Sequence, residues 1–178
     1  RKREMGSRMD ERKRFAMIGG GGIGGGHAIA IGSGTGNAVY NADSSRERGR
    51  KIFDTSANTD ISTRLELAGI YDINPDRMRW ASEKGFALYD SYESMLQDQS
   101  VDIILIATPN HLHKDMAIAA MKAGKHVLCE KPVMMNSREL EEVIEVSRET
   151  GKLFYPRQNR RWDRDYRIVK KIYEEKLV

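Results

Sequence analysis

The chain has 178 residues, 39% hydrophobic and 31% charged, which is enough for one well-buried domain and short for two. Its formal net charge of +4 comes entirely from the first 14 residues, where seven Lys/Arg face three Asp/Glu, so the folded part is not expected to bind nucleic acid. A single cysteine excludes an internal disulfide framework, and no apolar run approaches the ~18 residues of a membrane span; a soluble, reducing, cytoplasmic setting without a membrane partner is expected.

Residues 1 to 13 read as a disordered basic tail, in which Met5-Gly6-Ser7 resembles a vector remnant or a mis-set start. Order begins with Phe15 to Ile18, a short apolar strand that runs into seven glycines among the eight positions 19 to 26. Gly19, Gly21 and Gly24 fit G-x-G-x-x-G directly after a strand. In a dinucleotide-binding turn these glycines allow, in order, the tight bend, backbone approach to pyrophosphate, and close helix packing. A run so rich in glycine matches many spacings, and a flexible linker is the alternative. The first helix is expected to be stubby, about 24 to 31. Residues 32 to 62 show neither helical nor strand periodicity and read as an irregular insertion, natural or artefactual.

Leu65 to Tyr71 is a second strand, ending at Asp72. Asn74 as N-cap, Pro75 at the first helical position and Gly85 past the end frame a helix. Phe86 to Tyr89 is a weak strand, and a short helix follows with Asp90 and Glu93 in capping-box spacing. Val101 to Thr108 is an unbroken apolar strand, as in a parallel sheet covered on both faces. His111 to Ala123 has helical periodicity and stops at Gly124, His126 to Glu130 is a strand, Asn136 to Gly151 a capped helix, and Lys152 to Pro156 a further strand. In the last segment Trp162, Tyr166, Val169 and Tyr173 form an apolar stripe that reads as helix packing.

This alternation predicts an α/β fold with a doubly wound, mostly parallel, Rossmann-like sheet over 14 to 156, and a connecting helix over 157 to 178. Ligands in such sheets bind at the carboxyl ends of the strands. The acidic residue that would hold an adenosine ribose belongs about 20 residues beyond the glycines, yet Asp72 lies 48 beyond Gly24. A carboxylate there favours NAD over NADP, and Arg77 nearby would soften that preference. The histidines His27, His111, His113 and His126 show no metal-site spacing with Cys129, and none is expected to hold a metal. Cys129, on a strand, is expected to be packing.

Thr108-Pro109-Asn110 followed by His113, the "AGKHVLCEKP" stretch, and Gly19-x-Gly21-x-Ile23-Gly24-x-x-His27 together resemble the Gfo/Idh/MocA family of NAD(P)-dependent oxidoreductases, which act mainly on sugars, inositols and related polyols. "NRRWDRDYRIVKKIY" is similar to a subgroup that includes scyllo-inositol dehydrogenases. The resemblance implies that Gly19, Gly21, Ile23 and Gly24 carry pyrophosphate, Asp72 the adenosine ribose, and Thr108, Pro109, Asn110 and His113 the far side of the cofactor. It assigns Glu130, Lys131 and Pro132 to the nicotinamide end, with Lys131 as the catalytic candidate aimed by an unusual peptide geometry before Pro132.

The family's second, substrate-binding α/β domain would begin where this chain stops, so turnover by this chain alone is not expected. An apolar face left without that domain would promote a homo-oligomer. A non-catalytic nucleotide-sensing module, or an inactive remnant, is the alternative reading.

Overall fold

The computed structural model describes residues 12 to 21 and 65 to 177. Ile23, Gly24, His27, the stubby first helix, the expected insertion and nearly all of the expected tail lie outside the described residues. The elements in chain order are β1 (Lys13–Ile18), β2 (Leu65–Tyr71), α1 (Pro75–Glu83), α2 (Tyr92–Gln97), β3 (Ile103–Ile106), α3 (His113–Lys122), β4 (His126–Cys129), α4 (Ser137–Thr150), β5 (Phe154–Pro156) and α5 (Arg164–Glu174). Lys13, counted with the tail in the sequence, is the first residue of β1, where its ammonium pairs with Asp102 at 3.4 Å.

All described strands are parallel, in the order β2-β1-β3-β4-β5. The expected strand at Phe86 to Tyr89 is reduced to a single parallel bridge, Ile70 to Leu88, beyond β2. Counting that bridge as a vestigial strand gives the doubly wound order, with the reversal of direction between β1 and β3.

Side-chain alternation explains why β1 and β3 are continuous apolar runs. Ala16, Ile18, Ile104, Ile106, Val127 and Cys129 face one layer, packed under Tyr92, Met95, Ala117, Ala120, Met121 and Val143 from α2, α3 and α4. Phe15, Met17, Ile70 and Leu105 face the other, with Ala81 and Trp80 of α1, and Phe86 just beyond it in a ring pair with Trp80, against them. Successive side chains in a strand point to opposite faces, so burial on both faces requires apolar residues at every position.

Helix ends follow local chemistry. Asn74 caps α1 by accepting from the Asp76 N–H, and Asn136 caps α4 by accepting from the Glu139 N–H. Gly151 ends α4 in the left-handed conformation. The capping box of α2 is made by Ser91 and Ser94, one residue along from the expected Asp90 and Glu93. Both pairs have the same spacing, and the serine hydroxyl can both donate and accept, as the reciprocal box needs. The expected helix at His111 begins as a single 3₁₀ turn, Asn110–Leu112, and becomes α-helical at His113.

The stripe on α5 is amphipathic as expected but does not pack as the sequence suggested. Tyr166, Val169 and Tyr173 are exposed, Tyr173 by 80%, and among the described residues the helix touches chiefly the turn that precedes it.

Candidate functional site

Parallel strands put all their carboxyl ends on one edge, and the register makes that edge level. Tyr71 pairs with Ile18, Ile18 with Ile106, and Ile106 with Cys129. Gly19, Asp72, Ala107 and Glu130, each the residue after a strand, therefore share one rim. Backbone bonds continue the ladder past the strand ends: Gly19 N–H donates to Tyr71 O (2.9 Å), Ala107 to Ile18 O (2.9 Å), Glu130 to Ile106 O (2.9 Å) and Arg157 to Cys129 O (2.8 Å). The first residue of each site loop is thus fixed by its neighbouring strand. Three strand spacings of about 4.8 Å separate the ends of β2 and β4, so a ligand that touches both must be about 14 Å long or longer.

Two glycines on this rim differ in what requires them. Gly19 has φ +98°, and a Cβ on it would lie 2.4 Å from Ala107 O and 2.6 Å from Ala107 C. The close approach of β1 to β3 demands glycine there. A Cβ on Gly21 would meet nothing within 4 Å among the described residues. Space beside Gly21 among the described residues, at the point where the strand order reverses, suits a phosphate-bearing ligand.

Asp72 lies beside this turn despite its distance in sequence. Its Oδ2 accepts from Gly20 N–H at 2.6 Å and its Oδ1 from Asn74 N–H at 2.8 Å. A cleft of about 430 Å³ opens next to it, lined by Tyr71, Asp72, Ile73, Pro75, Met78, Leu88, Tyr89 and Asp90. Ile73 stands 85% exposed at its lip. Sequence reasoning passed over Ile73, although a lone isoleucine between Asp72 and an Asn-Pro helix start is a signal of an apolar contact outside the core. Arg77 is exposed, with its Cβ 3.5 Å from where a Gly20 Cβ would be.

On the other side of the reversal, Thr108 and Asn110 are partly buried and Pro109 exposed, so all three border the rim. His113 does not. It is fully buried, its Nδ1 lies 3.0 Å from Pro132 O and 3.3 Å from Val133 O, and its Nε2 lies 2.9 Å from Thr108 O. Every one of these neighbours is an acceptor, and the ring rivets the loop after β3 to the loop after β4. Both ring nitrogens are thus taken up by carbonyls of the two loops, and the buried ring offers the rim no free polar atom.

Glu130 and Lys131 divide in the same way. Glu130 is 3% exposed; its Oε1 accepts from the Arg157 guanidinium at 2.7 Å and its Oε2 from Lys131 N–H at 3.3 Å. Lys131 and Pro132 are exposed, and the peptide bond between them is cis. Only Lys131 of the three presents a charged head at the rim.

The remaining titratable groups lie off the rim. Cys129 is fully buried between Ile106 and Pro156 on the sheet, and burial, reinforced by the Glu130 charge, pushes its thiol up to about 12. His126, at the opposite edge, accepts from Leu153 N–H through Nδ1 at 3.0 Å; burial, then Lys152, lowers its pKa. Nearby Asp98 accepts from Ser100 and from the Tyr89 hydroxyl, which hold its carboxyl down at about 2 despite partial burial.

A level parallel edge, an obligatory glycine, a second glycine whose Cβ would meet none of the described residues and a carboxylate after β2 define the Rossmann class of nucleotide-binding domain. Residues 13 to 158 match the model of the Gfo/Idh/MocA oxidoreductase family, described as an NAD-binding Rossmann fold, and the chain belongs to that family. A myo-inositol 2-dehydrogenase from Thermotoga maritima is 33% identical over 115 residues, covering 63% of this chain and 34% of its own length. An NADP-dependent scyllo-inositol 2-dehydrogenase from Bacillus subtilis is 35% identical over 83 residues, 47% of this chain and 23% of its own. Among solved structures, an NAD-binding protein from Listeria innocua superposes with a TM-score of 0.73 at 37% identity, over 93% of this chain and 41% of that one. This chain thus spans about a third of the length of these dehydrogenase relatives or less. No helix among the described residues is long and apolar enough to cross a membrane.

Proposed function

We propose that this chain is the dinucleotide-binding part of an oxidoreductase that moves a hydride between nicotinamide and the carbinol carbon of an inositol, sugar or related polyol. The observation that carries the reading is the shared rim: Gly19 to Gly21, Asp72, Thr108 to Asn110 and Lys131 lie on one edge, across about the 14 Å that only an elongated ligand bridges. Inositol dehydrogenases among the relatives support the substrate class.

In this reading the turn from Gly19 to Gly21, with Ile23 and Gly24 outside the described residues, takes the pyrophosphate: Gly19, whose N–H is bonded to Tyr71 O, makes the bend, and Gly21 lets the phosphate approach the backbone. Asp72 accepts from the adenosine ribose hydroxyls, and the adjoining cleft with Ile73 takes the adenine. A carboxylate at that place repels a 2′-phosphate, which favours NAD over NADP. Thr108, Pro109 and Asn110 border the far side of the cofactor. Glu130 acts from below, held by Arg157, and His113 acts by keeping the two loops together.

The nicotinamide, when bound, supplies the hydride acceptor. Lys131 does the work at oxygen: its ammonium stabilises the alkoxide that develops as the carbinol C–H bond weakens, and relays the hydroxyl proton. The alcohol carbon is oxidised as its hydride leaves for the nicotinamide, and the hydroxyl proton is relayed: the Lys131 ammonium gives one of its protons to solvent, and its nitrogen takes up the proton from the hydroxyl.

Titration of the chain with NADH, followed by nicotinamide fluorescence, tests the reading. Saturable binding that Gly21→Arg abolishes is expected, and absence of binding by the wild-type chain overturns it. Lys131→Met should leave NADH affinity within a few-fold, because the lysine serves the substrate oxygen. In a chain extended to the relatives' length, the same change should lower kcat for myo-inositol oxidation about 10²-fold or more.

A further inference from the structure

Asp72 accepts from a backbone amide that lies 52 positions away, in the glycine turn itself. The contact is short, 2.6 Å, partly buried, and made to a charged acceptor, so it belongs to the stronger class of hydrogen bonds. The other carboxylate oxygen takes the exposed Asn74 N–H, which water can satisfy equally well. Gly20 is buried and has no such substitute. A Cβ on Gly20 would sit 3.5 Å from Asp72 Oδ2 and 3.5 Å from Arg77 Cβ, so the turn is packed against the start of α1 as well as bonded to it.

We propose that Asp72 is a positioning residue for the glycine turn as well as a ribose ligand, and that removing its acceptor weakens affinity for both dinucleotides instead of converting the site from NAD to NADP. This rests on the dinucleotide reading above. If the carboxylate acted only by repelling a 2′-phosphate, any neutral replacement would improve NADPH binding. If it also holds Gly20, the two neutral replacements must differ. Asp72→Asn removes the charge but keeps an oxygen that turns to the buried Gly20 amide, whereas Asp72→Ala removes the charge and the acceptor together.

The test has two arms on the 178-residue chain. In the first, NADH and NADPH are titrated into wild type and both variants by fluorescence. Asp72→Asn is expected to gain NADPH affinity relative to NADH. Asp72→Ala is expected to bind NADPH about tenfold more weakly than Asp72→Asn, the loss of the neutral acceptor that Asn still offers the buried Gly20 N–H. In the second arm, amide exchange in ¹⁵N-labelled apo protein is compared at Gly20 and, as a folding control, at Val127 in β4. Gly20 should exchange at least tenfold faster in Asp72→Ala than in Asp72→Asn, with Val127 unchanged. Tighter NADPH binding by Asp72→Ala than by wild type, or equal Gly20 exchange in the two variants, overturns the proposal. If wild type binds neither dinucleotide, the functional reading fails while the exchange arm still decides whether Asp72 holds the turn.

Discussion

Gly19 and Gly21 stand two residues apart in the same turn, yet alanine should act on them in opposite ways. At Gly19, a φ of +98° costs a residue with a β-carbon about 1–3 kcal/mol. The added carbon would also lie 2.4 Å from Ala107 O, and reaching the 3.0 Å floor of real contacts means moving the ends of β1 and β3 apart by 0.6 Å. That movement stretches the Ala107 N–H bond to Ile18 O, and overpacking of this kind adds about 1–3 kcal/mol. The sum is about 4 kcal/mol, a large part of the roughly 5–15 kcal/mol that keeps a domain folded. With a urea slope of about 2 kcal/mol/M, Gly19→Ala should lower the denaturation midpoint by about 2 M. Gly21→Ala meets no described atom and should leave the midpoint within about 0.5 M, while weakening NADH about tenfold or more, or about 1.4 kcal/mol. Urea melts monitored by circular dichroism, with NADH titration in parallel, read both quantities. Equal midpoint shifts for the two variants, or a Gly19→Ala protein as stable as wild type, would refute the assignment of one glycine to the fold and the other to the ligand.

His113→Ala should remove the ring that bridges Thr108 O and Pro132 O and leave a cavity in the core, at a cost of about 3 kcal/mol in chemical denaturation; a loss below about 1 kcal/mol would mean the ring does not hold the loops. Acid should destabilise the fold in two stages. His126 has a folded pKa below its ordinary 6.5, so its contribution is full above 6.5 and declines as pH falls; Asp98, held at about 2, then loses its contribution between about 4 and 2. Midpoints measured from pH 8 to pH 3 should fall below pH 6.5, and His126→Gln should flatten the first stage. Cys129, with its thiol pushed up to about 12, should resist alkylation by iodoacetamide at pH 8 in the native chain and react at the ordinary rate in urea; labelling at equal rates in both would contradict its burial.

The parts of the fold that were legible in the sequence are those governed by local chemistry. The Asn74-Pro75 start and the Asn136 cap were readable because a side chain and the backbone two or three residues on decide them. Unbroken apolar runs at Phe15 to Ile18 and Ile103 to Ile106 gave away a sheet covered on both faces. The weak strand at Phe86 to Tyr89 is one bridge because, among the described residues, it has β2 alone to pair with, and pairing is a tertiary event. Likewise the α5 stripe has the periodicity of a packed helix whatever lies opposite it. In the site, the glycine turn is legible from its place after a strand, whereas Lys131 is singled out by the family resemblance alone, since an exposed loop lysine carries no signal of its own. The inward turn of His113 and Glu130 is not legible, because partners such as Pro132 O and Arg157 are brought near only by the crossovers. The 48-residue gap before Asp72 is no obstacle to its place beside the turn, because sequence distance does not limit contact between adjacent parallel strands.

The riveted ring of His113 also says where this architecture can grow. Between Gly21 and Leu65 the chain carries 43 residues, and Gly20 still reaches Asp72, so extra length there is absorbed without disturbing the edge. No such slack exists from Thr108 to Val133, where a single imidazole measures the gap between two loops and one added residue in either would pull a carbonyl out of reach. Insertions and deletions among descendants of this chain should therefore collect in the first crossover and spare the second half of the rim.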